Sequence, residues 1–150
     1  MLCFNPPEAL MLPPTDQESE PMVVMVADDD DDFRAAIVAA LQAGGHSTIE
    51  ARDGQELLEL LERAQDGPPN RRPHVLITDV KMPKLSGLGV LEAMRGACWN
   101  LAVVVVTALS DASIDTFAVR LGAASVLHKP FGADVLLTVV RDARRHLLAT

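Results

Sequence analysis

Short apolar runs alternate along the chain with longer segments in which apolar residues recur at helical spacing. The first longer segment has the i, i+4, i+5, i+8 pattern of an amphipathic helix, carried by Phe33, Ile37, Val38 and Leu41. Gly44 and Gly45 are predicted to end this helix. Short runs that contain β-branched residues predict five strands, at residues 22–27, 46–50, 75–78, 101–106 and 125–127. A helical segment follows each run, and the closing helix is predicted at residues 134–148. The fourth helix is predicted to have one buried face, formed by Ile114, Phe117, Ala118 and Leu121.

Five repeats of strand then helix predict an α/β fold, because parallel strands need crossover connections and helices usually supply them. The central runs are apolar throughout rather than alternating, which is typical of strands buried on both faces. We therefore expect a doubly wound, five-stranded parallel sheet with five helices. The order 2-1-3-4-5 is the expected arrangement for five such units.

Residues 1–21 differ in character from the rest of the chain. They hold half of the ten prolines together with a polar run at residues 15–20. Such a composition buries too little apolar surface to become ordered. We predict a flexible N-terminal tail at residues 1–21 and a single domain at residues 22–150.

Composition and charge narrow the class of protein. With 49% hydrophobic and 23% charged residues, the chain has the composition of a soluble globular protein. Its net charge of -8 opposes attraction to phosphate backbones, so we expect no direct nucleic-acid binding. No apolar run approaches the roughly 18–20 residues of a membrane span. Cys3 and Cys98 lie far apart with no zinc or disulfide spacing, which favours a reducing, cytoplasmic setting.

Polar residues gather where the predicted strands end. Asp28 and Asp29 follow the first strand, Asp79 the third, Thr107 the fourth and Lys129 the fifth. In an open α/β sheet these carboxyl ends share one edge, and ligands bind there where the strand order reverses. Three converging carboxylates require either a raised pKa or a hard cation, and magnesium (Mg2+) suits oxygen ligands. A nearby lysine and hydroxyl are the donors that a phosphoryl group needs, so the predicted chemistry is phosphoryl transfer.

Four motifs in this order resemble the receiver domain of bacterial response regulators. They are Val26-Ala27-Asp28-Asp29, Asp79-Val80-Lys81-Met82-Pro83 with Gly87, Thr107-Ala108 and Lys129-Pro130-Phe131. The resemblance covers roughly residues 22 to 148 and implies a flavodoxin-like fold. It also implies a signalling domain rather than an enzyme, with a sensor histidine kinase or a histidine phosphotransfer protein as the phosphodonor.

The resemblance assigns a role to each residue of the acidic site. Asp79 would be the phosphoacceptor, whose carboxylate attacks a phosphohistidine and becomes an acyl phosphate. Asp29 and Asp79 would bind Mg2+ through their side chains, Lys81 through its backbone carbonyl and Asp28 through a water. Lys129 would pair with one phosphoryl oxygen.

Thr107 would hydrogen-bond a second phosphoryl oxygen, and phosphorylation would switch the face formed by the fourth helix, the fifth strand and the last helix. Receivers usually carry an aromatic residue three positions before the lysine, where this chain has Val126. We therefore expect the signal to travel mainly through the loop at residues 107–111. A degenerate receiver that acts as a phosphorylation-independent interaction module is the alternative function.

Other interpretations depend on fewer residues. Asp30, Asp31 and Asp32 are interpreted as helix-capping and dipole residues rather than metal ligands. A flavodoxin-like electron carrier would need a phosphate loop rich in Ser, Thr and Gly after the first strand, where this chain has five aspartates. A phosphatase of the haloacid dehalogenase type would need an aspartate at position 81, where this chain has Lys81. The four histidines, scattered without metal-ligand spacing, are expected on the surface or hydrogen-bonded in the core: His46, His74, His128 and His146.

Overall fold

The computed structural model describes residues 21–68, 71–81, 86–97, 101–108 and 112–149. Five strands alternate with five helices along these residues. In chain order they are β1 (Val23–Ala27), α1 (Asp31–Ala43), β2 (Ser47–Ala51), α2 (Gly54–Asp66), β3 (Val75–Asp79), α3 (Gly87–Ala97), β4 (Ala102–Thr107), α4 (Ala112–Arg120), β5 (Ser125–His128) and α5 (Ala133–Ala149). Apart from Pro21, the predicted tail lies outside the described residues.

All neighbouring strands are parallel and follow the order β2-β1-β3-β4-β5. The predicted doubly wound sheet and its strand order are thus confirmed. The chain leaves β1 toward β2 on one side and continues through β3 on the other, so the order reverses between β1 and β3. The carboxyl ends of these two strands flank the crevice where a ligand is expected.

Alternate residues of the central strands point into two separate apolar layers, as a pleated strand requires. Val24 and Val26 of β1 belong to the layer that packs beneath α1 and α5. Met25 and Ala27 belong to the opposite layer, with Leu57 and other residues from α2, α3 and α4. Burial on both faces explains why the central runs are apolar without alternation.

The turn from α1 into β2 depends on glycine. Gly44 caps the helix, and Gly45 has a φ of 91°, a backbone conformation that residues with a Cβ rarely adopt. The helix end predicted at this glycine pair is confirmed. The same turn brings His46 to the start of β1.

Two details differ from the sequence prediction. Asp79 and Thr107 are the last residues of β3 and β4 rather than the residues that follow them, because each still pairs with the neighbouring strand. Phe117, predicted to lie on the buried face of α4, is 46% exposed. Ala118 and Leu121 are buried as predicted, whereas Phe117 lines a surface cavity of about 510 Å³ with Ile114.

Candidate functional site

The turn between β1 and α1 is built from aspartates with different tasks. Asp30 is the N-cap of α1, and its carboxylate accepts hydrogen bonds from the backbone N–H groups of Asp32 (3.0 Å) and Phe33 (3.1 Å). The carboxylate of Asp28 accepts from the N–H of Asp30 at 2.9 Å. Asp31 and Asp32 lie in the first helical turn. The helix-capping interpretation of Asp30 is therefore confirmed, and the Asp28 carboxylate is held at the start of the turn by the Asp30 N–H.

Three carboxylates meet at the crevice between β1 and β3. The parallel register that pairs Ala27 with Thr78 brings Asp28 and Asp29 beside Asp79. Asp28 is 1% exposed and Asp79 is buried, whereas Asp29 faces solvent. One carboxylate oxygen from each residue lies within 4.8 Å of the others.

Lys129 reaches the same crevice from the end of β5. Its Nζ lies 2.8 Å from Oδ2 of Asp79 and 3.3 Å from Oδ2 of Asp28. The Lys129 backbone N–H donates to the carbonyl of Thr107 at 2.9 Å, and the Lys129–Pro130 peptide bond is cis. The ammonium group therefore joins two of the three carboxylates.

One aromatic ring lies against this ammonium group, and a second ring packs on the first. The Lys129 Nζ lies 4.0 Å from the centroid of the Phe33 ring, which is cation–π geometry. The Phe33 ring meets Phe131 edge to face, with 5.7 Å between centroids. The helical pattern predicted only that Phe33 faces the core. It gave no indication that the ring contacts Lys129.

The crevice shifts the ionisation of Asp28. Burial raises the pKa of Asp28, and the charge of Asp79 adds to this effect. The hydrogen bond from the Asp30 N–H and the charge of Lys129 lower the pKa, but they do not compensate fully. The carboxylate of Asp28 is therefore held in a strained electrostatic setting that an additional cation would relieve.

The pKa of Lys129 is shifted in the direction that keeps its ammonium group charged. Burial lowers its pKa, but the hydrogen bond and charge of Asp79, together with those of Asp28, outweigh burial and raise the pKa above its usual value. The side chain is thus a permanent cation near neutral pH.

Lys81 and Thr107 complete the set of residues predicted at this site. The backbone N–H of Lys81 donates to Oδ1 of Asp79 at 3.0 Å. Thr107 is buried at the end of β4, where Val106 is the register partner of Asp79. Met82 and Pro83, which are part of the motif, lie outside the described residues.

The donor set fits a hard divalent cation. Mg2+ prefers oxygen ligands and is commonly held by one or two carboxylates together with waters and phosphate oxygens. Asp28, Asp29 and Asp79 offer carboxylate oxygens at one end of the sheet, and the exposed Asp29 leaves one side of the cluster open to solvent. These three residues could hold such an ion.

Arg34 is a residue that the sequence prediction missed. It is 8% exposed on α1 and donates hydrogen bonds to Glu50, Asp31 and the backbone of Asp28. Burial lowers the pKa of Arg34, but the two carboxylates outweigh burial and raise it. The sequence did contain a signal for this role. Arg34 lies at helical spacing from Ile37 and Val38, which places a cation on the apolar side of α1.

The histidines take up hydrogen-bonding positions. Nδ1 of His46 and of His74 accept from the backbone N–H groups of Met22 and Val23. His128 on β5 contacts Asp115 of α4, with 2.9 Å from Nε2 to Oδ2. The expected surface or hydrogen-bonded positions are confirmed for these three, and the side chain of His146 lies outside the described residues.

Within the described ranges, no helix is both long and apolar enough to cross a membrane.

The chain resembles known proteins over most of its length. It is 36% identical over 112 residues to the response regulator MprA of Mycobacterium tuberculosis (strain H37Rv), a match that covers 75% of this chain and 46% of MprA. It is 31% identical over 114 residues to the probable transcriptional regulator ycf27 of Porphyridium aerugineum, covering 76% of this chain and 44% of that protein. The chain thus spans about half the length of the curated relatives it matches.

Solved structures resemble the fold closely. The signal receiver domain of the putative response regulator NarL from Mycobacterium tuberculosis has a TM-score of 0.74 and 30% identity, covering 84% of this chain and 98% of that one. A response regulator receiver domain protein from Clostridium thermocellum has a TM-score of 0.75 and 28% identity, covering 86% and 99%. The family model described as the response regulator receiver domain matches residues 24–141. With its 2-1-3-4-5 parallel sheet and its acidic crevice at the reversal of strand order, the chain belongs to the response regulator receiver domain family.

Proposed function

We propose that this domain accepts a phosphoryl group on Asp79 from a phosphohistidine of a sensor kinase or a histidine phosphotransfer protein. The observation that carries the proposal is the meeting of three carboxylates with the ammonium group of Lys129 at the reversal of strand order. A carboxylate cluster with a fixed cation suits a reaction in which negative charge is spread over phosphoryl oxygens.

In the proposed reaction, a carboxylate oxygen of Asp79 forms a bond to phosphorus while the phosphorus–nitrogen bond of phosphohistidine breaks. The imidazole leaves with the electron pair and takes up a proton. Lys129 already contacts Asp79, so its ammonium group is placed to pair with one oxygen of the transferred group. Thr107, at the neighbouring strand end, is the hydroxyl donor for another.

A bound Mg2+ would supply positive charge next to the remaining phosphoryl oxygen. Asp29 and Asp79 would bind it directly, Asp28 through a water and Lys81 through its backbone carbonyl. The reducing, cytoplasmic setting predicted from the two isolated cysteines suits this exchange. The domain itself acts as a signalling switch rather than as an enzyme with a separate substrate.

Output is proposed to use the face formed by α4, β5 and α5. Val119 of α4 and Val135 of α5 are exposed apolar residues on the two helices that flank β5. Val126 is half-buried on β5 and too short and stiff to act as an aromatic rotamer switch. The signal is predicted to travel through the loop at residues 107–111, of which residues 109–111 lie outside the described residues.

Labelling by acetyl phosphate tests the proposal. Intact-protein mass spectrometry should show a phosphoryl adduct on the parent that requires Mg2+ and that is absent from Asp79→Asn. Asp142→Asn makes the same chemical change on an exposed part of α5 and should label like the parent. Substantial Mg2+-dependent labelling of Asp79→Asn would place the acceptor elsewhere.

The alternative function is a degenerate receiver that binds its partner without phosphorylation, which Val126 in place of an aromatic residue favours. It predicts no Mg2+-dependent adduct on the parent. A partner that binds Asp79→Asn and the parent equally well, with or without acetyl phosphate, would support this alternative.

A further inference from the structure

A buried guanidinium group lies beneath the β1–α1 turn and has no part in the chemistry described above. Arg34 donates from Nη1 to the backbone carbonyl of Asp28 at 2.6 Å. It also donates from Nε to Glu50 of β2 at 3.0 Å and from Nη2 to Asp31 at 2.7 Å. These contacts tie α1, β2 and the end of β1 to one planar group.

The contact with Asp28 fixes a peptide group inside the acidic site. The N–H of Asp28 donates to the carbonyl of Ala51 at 3.1 Å, and the carbonyl of Asp28 accepts from Arg34. That carbonyl belongs to the peptide unit that joins Asp28 to Asp29. Because a peptide unit is planar, holding its carbonyl sets the direction in which the backbone of Asp29 leaves the turn.

Asp29 depends on this backbone more than its neighbours do. The Asp28 carboxylate is held by the Asp30 N–H and Lys129, and the Asp79 carboxylate by the Lys81 N–H and Lys129. Asp29 is exposed, so the direction of its backbone decides whether its carboxylate faces the cluster.

We propose that Arg34 is a positioning residue for Mg2+ binding, because it orients the Asp28–Asp29 peptide so that the Asp29 carboxylate faces Asp28 and Asp79. The inference rests on the proposed function, since it concerns the metal of that same site. The rigid fork of a guanidinium group reaches all three acceptors at once, and a lysine ammonium cannot reproduce this arrangement.

The sign of the effect separates positioning from simple electrostatics. Arg34 is a cation close to a cation-binding site, so its charge alone opposes Mg2+. If charge were its only influence, Arg34→Met would bind Mg2+ more tightly than the parent. Positioning predicts the opposite result, weaker binding.

Magnesium titrations monitored by amide NMR chemical shifts test the positioning role of Arg34. Arg34→Met should bind Mg2+ about tenfold more weakly, the lower end of the range for residues that orient metal ligands. Arg34→Lys, which keeps the charge but not the fork, should also bind more weakly and provides the comparison if Arg34→Met does not fold. Val38→Ala, a core truncation on the same helix, is the stability control and should keep the parent affinity within about twofold.

The labelling rate with acetyl phosphate provides a second measurement. Asp79, Thr107 and Lys129 are unchanged in Arg34→Met, so raising Mg2+ should restore its rate close to that of the parent. Equal or tighter Mg2+ binding by Arg34→Met, or an equal loss of affinity in Val38→Ala, would overturn the positioning role. Absence of Mg2+ binding by the parent would instead overturn the proposed function, and the metal-directed role of Arg34 with it.

Discussion

At the scale of single residues, the buried carboxylate of Asp28 lowers the stability of the fold. A nearly fully buried carboxylate lies beside Asp79, and Lys129 contacts both of them. Burial raises the pKa of Asp28, so the folded protein holds a proton there more readily than the unfolded chain does. The ionised form therefore destabilises the fold, and this penalty grows as the pH rises through the folded-state pKa.

Replacing this charge should stabilise the metal-free protein. We expect Asp28→Asn to raise the free energy of unfolding at pH 7 by roughly 0.5–2 kcal/mol, the usual range for relieving a destabilised functional site. The amide oxygen can still accept from the Asp30 N–H. Urea denaturation without Mg2+ measures the change, and Mg2+ affinity should fall in the same variant. A loss of stability at pH 7 would contradict the expectation.

The ring of Phe33 should help to keep Lys129 charged. A cation–π contact favours the ammonium form, so Phe33→Leu should lower the pKa of Lys129 and cost about 0.5–2 kcal/mol of stability. NMR titration of the lysine side chain measures the pKa. Phe131→Leu is the matched control, because Phe131 packs edge to face on Phe33, whereas the face of Phe33 meets the ammonium group. Equal pKa changes in the two variants would exclude a specific role for the Phe33 face.

At the scale of elements, the start of β1 is held by two histidines from the loops before β2 and β3. Nδ1 of His46 accepts from Met22 N–H at 3.1 Å, and Nδ1 of His74 accepts from Val23 N–H at 3.0 Å. A protonated imidazole cannot accept at Nδ1. Burial and the charge of Arg144 on α5 lower the pKa of both histidines.

This arrangement predicts acid sensitivity of the fold. Because the pKa is lowered in the folded state, the unfolded chain takes up protons first as the pH falls below the ordinary value of 6.5. Stability should be greatest above that pH and decrease through the interval between 6.5 and the lower folded-state values. Urea denaturation between pH 5 and pH 8 measures this slope. A His46→Asn, His74→Asn double variant, which keeps an acceptor without the titration, should show a shallower slope.

The elements themselves were readable from the sequence, because hydrophobic periodicity is a local property. Parallel pairing of β1 with β3 then made convergence of Asp28 and Asp79 predictable from the strand ends alone. The contacts of Arg34 with Glu50 and of His74 with Val23 were not predictable in this way, because they join residues 16 and 51 positions apart. Phe117 was misplaced for a related reason: a helical pattern shows which residues share a side, but not where the neighbouring helices leave that side uncovered.

At the scale of the whole molecule, the net charge of -8 and the acidic crevice would link the proposed metal binding to folding. An ion that binds only the folded state stabilises the protein by RT ln(1 + [L]/Kd), about 2.7 kcal/mol at 100 times Kd. The crevice exists only when β1 and β3 are paired. Magnesium should therefore raise the Tm of the domain.

This linkage separates the aspartates by role. Mg2+ should raise the Tm of the parent and of Asp32→Ala, whereas Asp29→Ala should show little increase because it lacks a metal ligand. Asp32→Ala should lose only the roughly 0.3–1 kcal/mol of a helix-dipole interaction. Differential scanning calorimetry with and without Mg2+ measures both effects. Equal Tm increases in Asp29→Ala and Asp32→Ala would mean that Asp29 is not a ligand.

Lys129 bridges Asp28 and Asp79, and its positive charge partly offsets the negative charge of the crevice. When ionised, the three carboxylates and the one ammonium group leave two net negative charges in the crevice, which a single divalent cation neutralises. A phosphodonor is itself an anion, so it meets repulsion at the metal-free crevice and none at the neutral one. A bound cation would therefore determine when an anionic donor can approach, and we expect the apparent KM for acetyl phosphate to decrease as Mg2+ is added.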